Sequence, residues 1–248
     1  MYMMNKIRIK KELFLKLIVL NAILFTSLNF AQTADSDWAS WSTMGVEYKL
    51  NKKWSFGLEE QFRLKENFSE VDAFFTELNA EYTLFKDFKM GVGARYIREN
   101  DNKGNIQGYE NHFRFQVDAM YKHQINNLEI GYRLRYQNKN ELGVSTDEGD
   151  EANQSIRFKT SLEYNFKNWK FDPKFSAEIF NKFQDGDESG FNKYRLTLGT
   201  DYKIKNFGKV GVFYRFEKEL NEDFPDITNI LGLKYTYSFK NKKSSKTI

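Results

Sequence analysis

Strict alternation of apolar and polar residues, repeated in run after run, is the feature that most constrains what this chain can fold into. Phe113, Phe115, Val117, Ala119 and Tyr121 take every second position of one run. A period of two sorts side chains onto the two faces of a β-strand and is incompatible with an amphipathic helix. Such runs end in a short phrase: a Tyr, one residue, usually an apolar residue, then a turn. Copies stand at Tyr48-Lys49-Leu50, Tyr82-Thr83-Leu84, Tyr164-Asn165-Phe166 and Tyr202-Lys203-Ile204, with a weaker one at Tyr121-Lys122-His123 and a last at Tyr237-Ser238-Phe239. They recur roughly 35 to 43 residues apart, the length of one β-hairpin with its loop.

Taken in order, the hairpins are these. Strand one runs Trp38 to Leu50, with Met44, Val46, Tyr48 and Leu50 on one face and Thr43, Gly45, Glu47 and Lys49 on the other. Asn51-Lys52-Lys53 turns it into Trp54, Phe56, Leu58, Phe62 and Leu64, where Glu60 interrupts the apolar face and suggests a bulge. A second hairpin pairs Leu78–Leu84 with Phe88–Tyr96, and a third pairs Phe113–Tyr121 with Leu128–Tyr136. The fourth joins Ile156–Tyr164 to Trp169–Ile179, with Pro173 removing a ladder hydrogen bond. The fifth runs Tyr194–Tyr202 into Val210–Phe216, and a last strand carries Leu231 to Phe239.

One face of each strand is markedly polar while the other is apolar. Alternating strands of about ten residues with aromatics at their ends are what a transmembrane β-barrel needs, lipid taking the place of a packed core. The fold class expected is therefore all-β, an antiparallel transmembrane β-barrel of about ten to twelve strands. Lipocalin-like and propeller folds fit less well, because a lipocalin has fewer strands and a propeller repeats four per unit. Six Tyr-ended strands and five return strands leave the first and last running the same way. A parallel seam, a misread segment, or a count of ten or twelve would each resolve this. Connections at the Tyr ends read as short and Lys-containing, and those at the other ends as longer and mostly acidic: Lys65–Ala73, Asn100–Glu110, Lys139–Asn153, Gln184–Gly190 and Glu217–Asp226. Short periplasmic turns and long outer loops are the usual arrangement, which puts the Tyr ends on the periplasmic side.

Residues 1–31 read as an export signal, with Lys6, Arg8, Lys10 and Lys11 before an apolar stretch, Leu17 to Leu28, too short to span a bilayer. Cleavage is expected after Ala31, with Ala34 as the alternative site, and a retained membrane anchor is the rival reading. Lys6, Arg8, Lys10, Lys11 and Lys16 against Glu12 account for the whole formal charge of +4, so the rest of the chain is near neutral and its basic pI does not argue for nucleic acid. With no Cys there is no lipid-anchoring cysteine, disulfide or thiolate metal site. The barrel is expected over residues 32–239, followed by a basic tail at 240–248. Bacterial outer membrane is the expected location, and membrane lipid, lipopolysaccharide and the barrel-assembly machinery are the expected partners.

The signal, the opening strand with Trp38 and Trp41, the Leu50-to-Trp54 turn and the closing Tyr235-Thr236-Tyr237-Ser238-Phe239 together resemble an uncharacterised family. It is the domain of unknown function numbered two-four-ninety, regarded as an outer-membrane barrel of Gram-negative bacteria. The resemblance implies a fold and a location and carries no catalytic residues.

Chemistry would have to lie on the polar strand faces. Gly-x-x-x-Arg-aromatic recurs at Gly91…Arg95-Tyr96, Gly131…Arg135-Tyr136 and Gly211…Arg215-Phe216, with Gly and Arg facing the lumen by alternation. Further lumen candidates are Arg63, Arg114, Arg133, Arg157 and Arg195, against Glu59, Glu77, Glu81, Asp118, Glu163 and Glu178. They read either as a charged pore lining that sets solute preference or as a mixed-sign network filling a narrow lumen. The expected function is a passive small-solute channel or a plugged structural barrel, with no cofactor or metal. An outer-membrane lipid-modifying hydrolase is the alternative. It would need a Ser beside His112, expected to point inward near the outer rim, or His123, expected in a periplasmic turn. Asp147–Glu151 and Asp185–Glu188 lack the alternating ligands of a Ca²⁺ loop and read as solvated acidic loops.

Overall fold

The computed structural model describes residues 36–102, 107–145, 152–167, 169–183 and 189–241. The expected export signal, most of the basic tail and both acidic Ca²⁺ candidates lie outside them. Eleven strands stand among the described residues: β1 Ser36–Lys49, β2 Trp54–Lys65, β3 Glu70–Phe85, β4 Phe88–Asp101, β5 Gly108–Ile125, β6 Leu128–Glu141, β7 Asn153–Tyr164, β8 Asp172–Phe183, β9 Gly190–Ile204, β10 Gly208–Glu219 and β11 Ile227–Lys240. Each pairs with its sequence neighbours, and β1 closes on β11, so the sheet is a complete barrel.

The odd count is real, and a parallel seam resolves it. Ten neighbouring pairs are antiparallel, whereas β1 and β11 run in the same direction from Ser36↔Ile227 to Lys49↔Lys240 without a register shift. An up-and-down chain of eleven strands can close in no other way, and closure removes the edges that lipid could not satisfy.

The turns follow from residue type. Asn51 Oδ1 accepts hydrogen bonds from the backbone N–H of Lys53 and Trp54, both 2.8 Å, which explains the Leu50-to-Trp54 phrase. Asp87, Asn126 and Asn206 hold φ of 68°, 54° and 66° at the next tight turns, a conformation that Asp and Asn tolerate best among residues other than Gly. At the other end, β2 and β3 extend further than the sequence suggests. The expected long loop from Lys65 to Ala73 contracts to 66–69, with Glu66, Asn67 and Phe68 all at positive φ. Asp37 holds that turn by accepting from the N–H of Glu66 (3.1 Å) and Asn67 (2.7 Å). The remaining long-loop connections are 102–107, 142–152, 184–189 and 220–226, against 50–53, 86–87, 126–127, 165–171 and 205–207 at the Tyr-turn end. The asymmetry in length survives in weaker form, since 165–171 exceeds the expected Lys167-Asn168.

Glu60 causes no bulge. It pairs regularly with Met44 and Thr76, points outward, and accepts the Thr76 hydroxyl at 2.9 Å, while the irregularity falls at Arg63/Leu64. A carboxylate beside a hydroxyl on the next strand satisfies part of its hydrogen-bonding capacity without distorting the ladder.

The barrel is apolar outside and polar inside. Met44, Leu78, Leu198 and Val92 are each more than half exposed, while Glu77, Arg95, Arg114, Asp118, Arg135, Arg157, Glu178 and Glu217 are buried. Aromatic rings gather at both ends of the outer surface. At the Tyr-turn end, Trp54 meets Tyr82 with centroids 4.7 Å apart, Tyr48 meets Phe239 at 4.9 Å and Phe171 meets Tyr202 at 5.1 Å. At the other end, Trp38 packs on Phe68 and Tyr214, and Phe74 on Tyr109, at 6.0–6.4 Å. Two aromatic girdles flanking an apolar belt are the signature of an outer-membrane-type barrel. A strand of twelve residues, rising ~3.3 Å per residue and tilted ~40°, climbs ~30 Å, enough to cross the hydrocarbon.

Candidate functional site: the arginine-lined lumen

Alternation that is apolar outward leaves the inward positions to charged residues, and the barrel brings them together into a lattice. Glu77 on β3 is its first node. It accepts from Arg95 Nε at 2.6 Å, Gln116 Nε2 at 3.2 Å and Arg114 Nη2 at 3.3 Å. Gln116 reaches Glu77 by lying across Gly93, where a Cβ would stand 2.8 Å from its Nε2. On β5, Asp118 takes two bonds of 2.7 Å from Nε and Nη2 of Arg135, a fork that holds both groups rigid. Glu178 on β8 serves three cations, Arg133 at 2.7 Å, Arg157 at 2.9 Å and Arg195 at 3.4 Å. Glu217 on β10 receives Arg195 at 2.8 and 2.9 Å.

Two further arginines sit on neutral partners. Arg63 Nε donates to Gln61 at 2.6 Å, and Arg215 Nε donates to Thr197 at 3.1 Å. Both flank the indole of Trp41, at 3.8 and 4.6 Å from its centroid, with Arg195 at 5.4 Å. Arg95 lies 3.4 Å from the Phe75 centroid, and Arg157 and Arg195 lie 4.3 and 4.8 Å from that of Phe180. A guanidinium tolerates such a site because it is weakly hydrated and stacks on aromatic faces.

The lattice braces the lumen as well as lining it. Arg133 on β6 reaches Glu178 past β7, Arg114 on β5 reaches Glu77 past β4, and Lys139 on β6 reaches Glu99 on β4 at 2.5 Å. Lys234 on β11 ion-pairs with Glu59 on β2. Arg195 on β9 meets Trp41 on β1, with β10 and β11 between them in the sheet.

Three spaces remain along the axis. A vestibule of about 620 Å³ at the long-loop end is lined by seven carboxylates, with Lys65 and Lys139 against them. The central cavity, about 460 Å³, is lined by eight arginines and three glutamates. Below it a chamber of about 280 Å³ carries Lys122, Lys159, Lys174 and Lys234 with Glu129, Glu163 and Asp201. At the Tyr-turn rim a depression gathers Lys49, Lys52, Lys53, Lys89 and Lys240 around Glu47, with Lys49 paired to Glu47 and Lys89 to Glu81. Charge is therefore stratified from acidic to basic along the barrel.

All twelve principal candidates project inward, but they form separate groups. Arg95, Arg114, Arg133, Arg135, Arg157, Arg195, Arg215, Glu77 and Asp118 belong to the central layer. Glu59 lines the same cavity but pairs with Lys234, while Glu81 and Glu163 pair with Lys89 and Lys174 nearer the Tyr-turn end. Glu163 thus does not meet Arg133 or Arg135, because it stands a full turn-side layer below them. Sequence reasoning missed Glu217, assigned to a loop although β10 continues to Glu219, and the inward aromatics Trp41, Phe75, Phe180 and Phe213. Doubled apolar pairs, Phe74-Phe75, Ile179-Phe180 and Val212-Phe213, are the signal that could have found the last three.

His112 is inward at the long-loop end, its Nε2 3.3 Å from Glu110 and 3.6 Å from Glu99. His123 lies within β5 rather than in a turn, because the turn is Asn126-Asn127. It faces outward between the rings of Tyr121 and Tyr132. Among the described residues no group of three or more His, Asp or Glu is arranged to hold a metal ion.

Residues 38–226 match the family model described as Protein of unknown function (DUF2490). No curated protein matches the chain significantly. Among solved structures the chain is similar to the β domain of the Bordetella autotransporter BrkA, with 10% identity, a TM-score of 0.43, and coverage of 71% of this chain and 79% of that one.

Proposed function

The chain belongs to the DUF2490 family, and on the geometry of its lumen we propose a bacterial outer-membrane protein held shut by its own side chains, without a catalytic step. The observation that carries this reading is the bracing of the lumen by buried ion pairs that step over intervening strands, Arg133–Glu178 and Arg114–Glu77, together with the Arg195–Trp41 contact. Each brace replaces water that an open pore would keep, and a buried ion pair in a confined space resists removal of either partner. An outer-membrane location is supported by the apolar belt, the two aromatic girdles and the expected export signal.

Planar-bilayer recording on refolded protein tests the closed lumen. Wild type should give no steady current, and Arg195→Ala combined with Trp41→Ala should admit one. A stable ohmic current from wild type would return the passive small-solute channel. The hydrolase alternative has weaker support, because the partners of His112 are the carboxylates Glu99 and Glu110. Fatty-acid release from phospholipid vesicles by the refolded protein would restore it.

A further inference from the structure

The lattice is not balanced, and we infer that its surplus charge is a binding site for one multivalent oxyanion of the phosphate class, loaded from the Tyr-turn end. Six arginines share the four carboxylates Glu77, Asp118, Glu178 and Glu217. Arg63 and Arg215 line the same central cavity, as does Lys159, and none of the three has an ion-pair partner among the described residues. On the same wall two donors are unmet, since Nε of Arg114 and Nε of Arg133 are buried without an acceptor. Buried donors left in this condition are rare and costly. Three cations without an ion-pair partner and two buried donors without an acceptor, all around one cavity, are what the absence of a common acceptor produces.

The chemistry of the wall selects the ligand. Guanidinium forks match the paired oxygens of phosphate and carboxylate, and arginine is favoured where that recognition is needed. Three cations without counter-charge exceed what chloride or a single carboxylate can neutralise, so a diphosphate or phosphate ester fits better. The cavity of about 460 Å³ is far larger than the ~30 Å³ a water molecule occupies and has room for such a group. The direction of entry follows from the stratified charge. Lys159, Lys234 and Phe213 line both the central cavity and the chamber beneath it. Five lysines gather at the Tyr-turn rim, whereas seven carboxylates line the opposite vestibule. A field of that sign attracts anions at the first end and repels them at the second.

Calorimetric titration of inorganic pyrophosphate into refolded protein in detergent tests the site. Saturable one-to-one binding is expected, at least tenfold tighter than acetate. Lys159→Gln and Arg215→Gln should each weaken it tenfold or more while the unboiled protein keeps its fast gel migration. Lys52→Glu with Lys53→Glu should slow association several-fold with little change in affinity. Absence of binding to folded wild type, equal affinity for acetate, or affinity untouched by both cavity substitutions would each overturn the site. Unchanged association in the rim variant would overturn the route. The titration needs no current, so its failure leaves the closed-lumen reading intact, and a conducting barrel would leave the site intact.

Discussion

Arg135 and Asp118 show at the level of single residues why the interior is stable only as a paired set. Their two 2.7 Å bonds satisfy charges that are both buried. Arg135→Leu leaves Asp118 uncompensated and should cost about 3–5 kcal/mol, whereas Arg135→Leu with Asp118→Leu should recover most of that loss. Urea midpoints in detergent, followed by tryptophan fluorescence, measure both, and a double variant as weak as the single one would contradict the pairing. Glu178 serves three arginines, so Glu178→Gln should be more damaging than Asp118→Asn on the same scale. Outside the barrel the logic reverses. Glu60 is an outward carboxylate answered by Thr76 alone, and Glu60→Leu should raise stability in lipid by on the order of 1 kcal/mol, because charge on the lipid face is unfavourable.

At the level of elements the seam is the distinctive feature. Parallel pairing in register sets Val46 beside Tyr237. The chain contains no Cys, so Val46→Cys with Tyr237→Cys should form a disulfide that staples β1 to β11. Val46→Cys with Leu233→Cys should not, since four residues of offset exceed the reach of the bond. Cross-linking read on non-reducing gels distinguishes them, and the reverse pattern would mean a different register. β11 also shows how glycine shapes the lumen. A Cβ on Gly232 would collide with the ring of Phe213, which lies over it from β10. Gly232→Ala should therefore destabilise the barrel, and adding Phe213→Ala should relieve the strain. The same urea assay checks this.

For the whole molecule, an apolar exterior and a charged interior dictate behaviour. The protein should require detergent or lipid, fractionate with outer membranes, and migrate faster on gels when unboiled. Soluble, monomeric protein without detergent would contradict the barrel in a membrane. Orientation is decided by tags: one inserted in the 220–226 connection should be reached by antibody on intact cells, and one at Lys52 should not. The opposite labelling would invert the barrel, and with it the side from which an anion enters. Stratified charge gives this orientation its meaning, because the lysine rim then faces the periplasm and the acidic vestibule faces outward.

By itself the sequence determines most of the strands, their two faces and the tight turns at the Tyr ends, because each depends on neighbours along the chain, while it leaves the strand count between ten and twelve. Alternation requires only that residue i and residue i+2 share a side, and Asn51, Asp87 and Asn126 define turns within a few bonds of themselves. The inward set of charges is legible on the same grounds, from Arg95 to Glu163. Only the tertiary structure decides who pairs with whom. Arg133 meets Glu178 across 45 residues and Lys234 meets Glu59 across 175, contacts that depend on the stagger of non-adjacent strands round a closed sheet. The parallel seam, the stacking of arginines on Trp41, Phe75 and Phe180, and the surplus of arginine around one cavity all follow from that closure. A period-two pattern records which face a side chain takes, but it holds no information about what stands on the far wall.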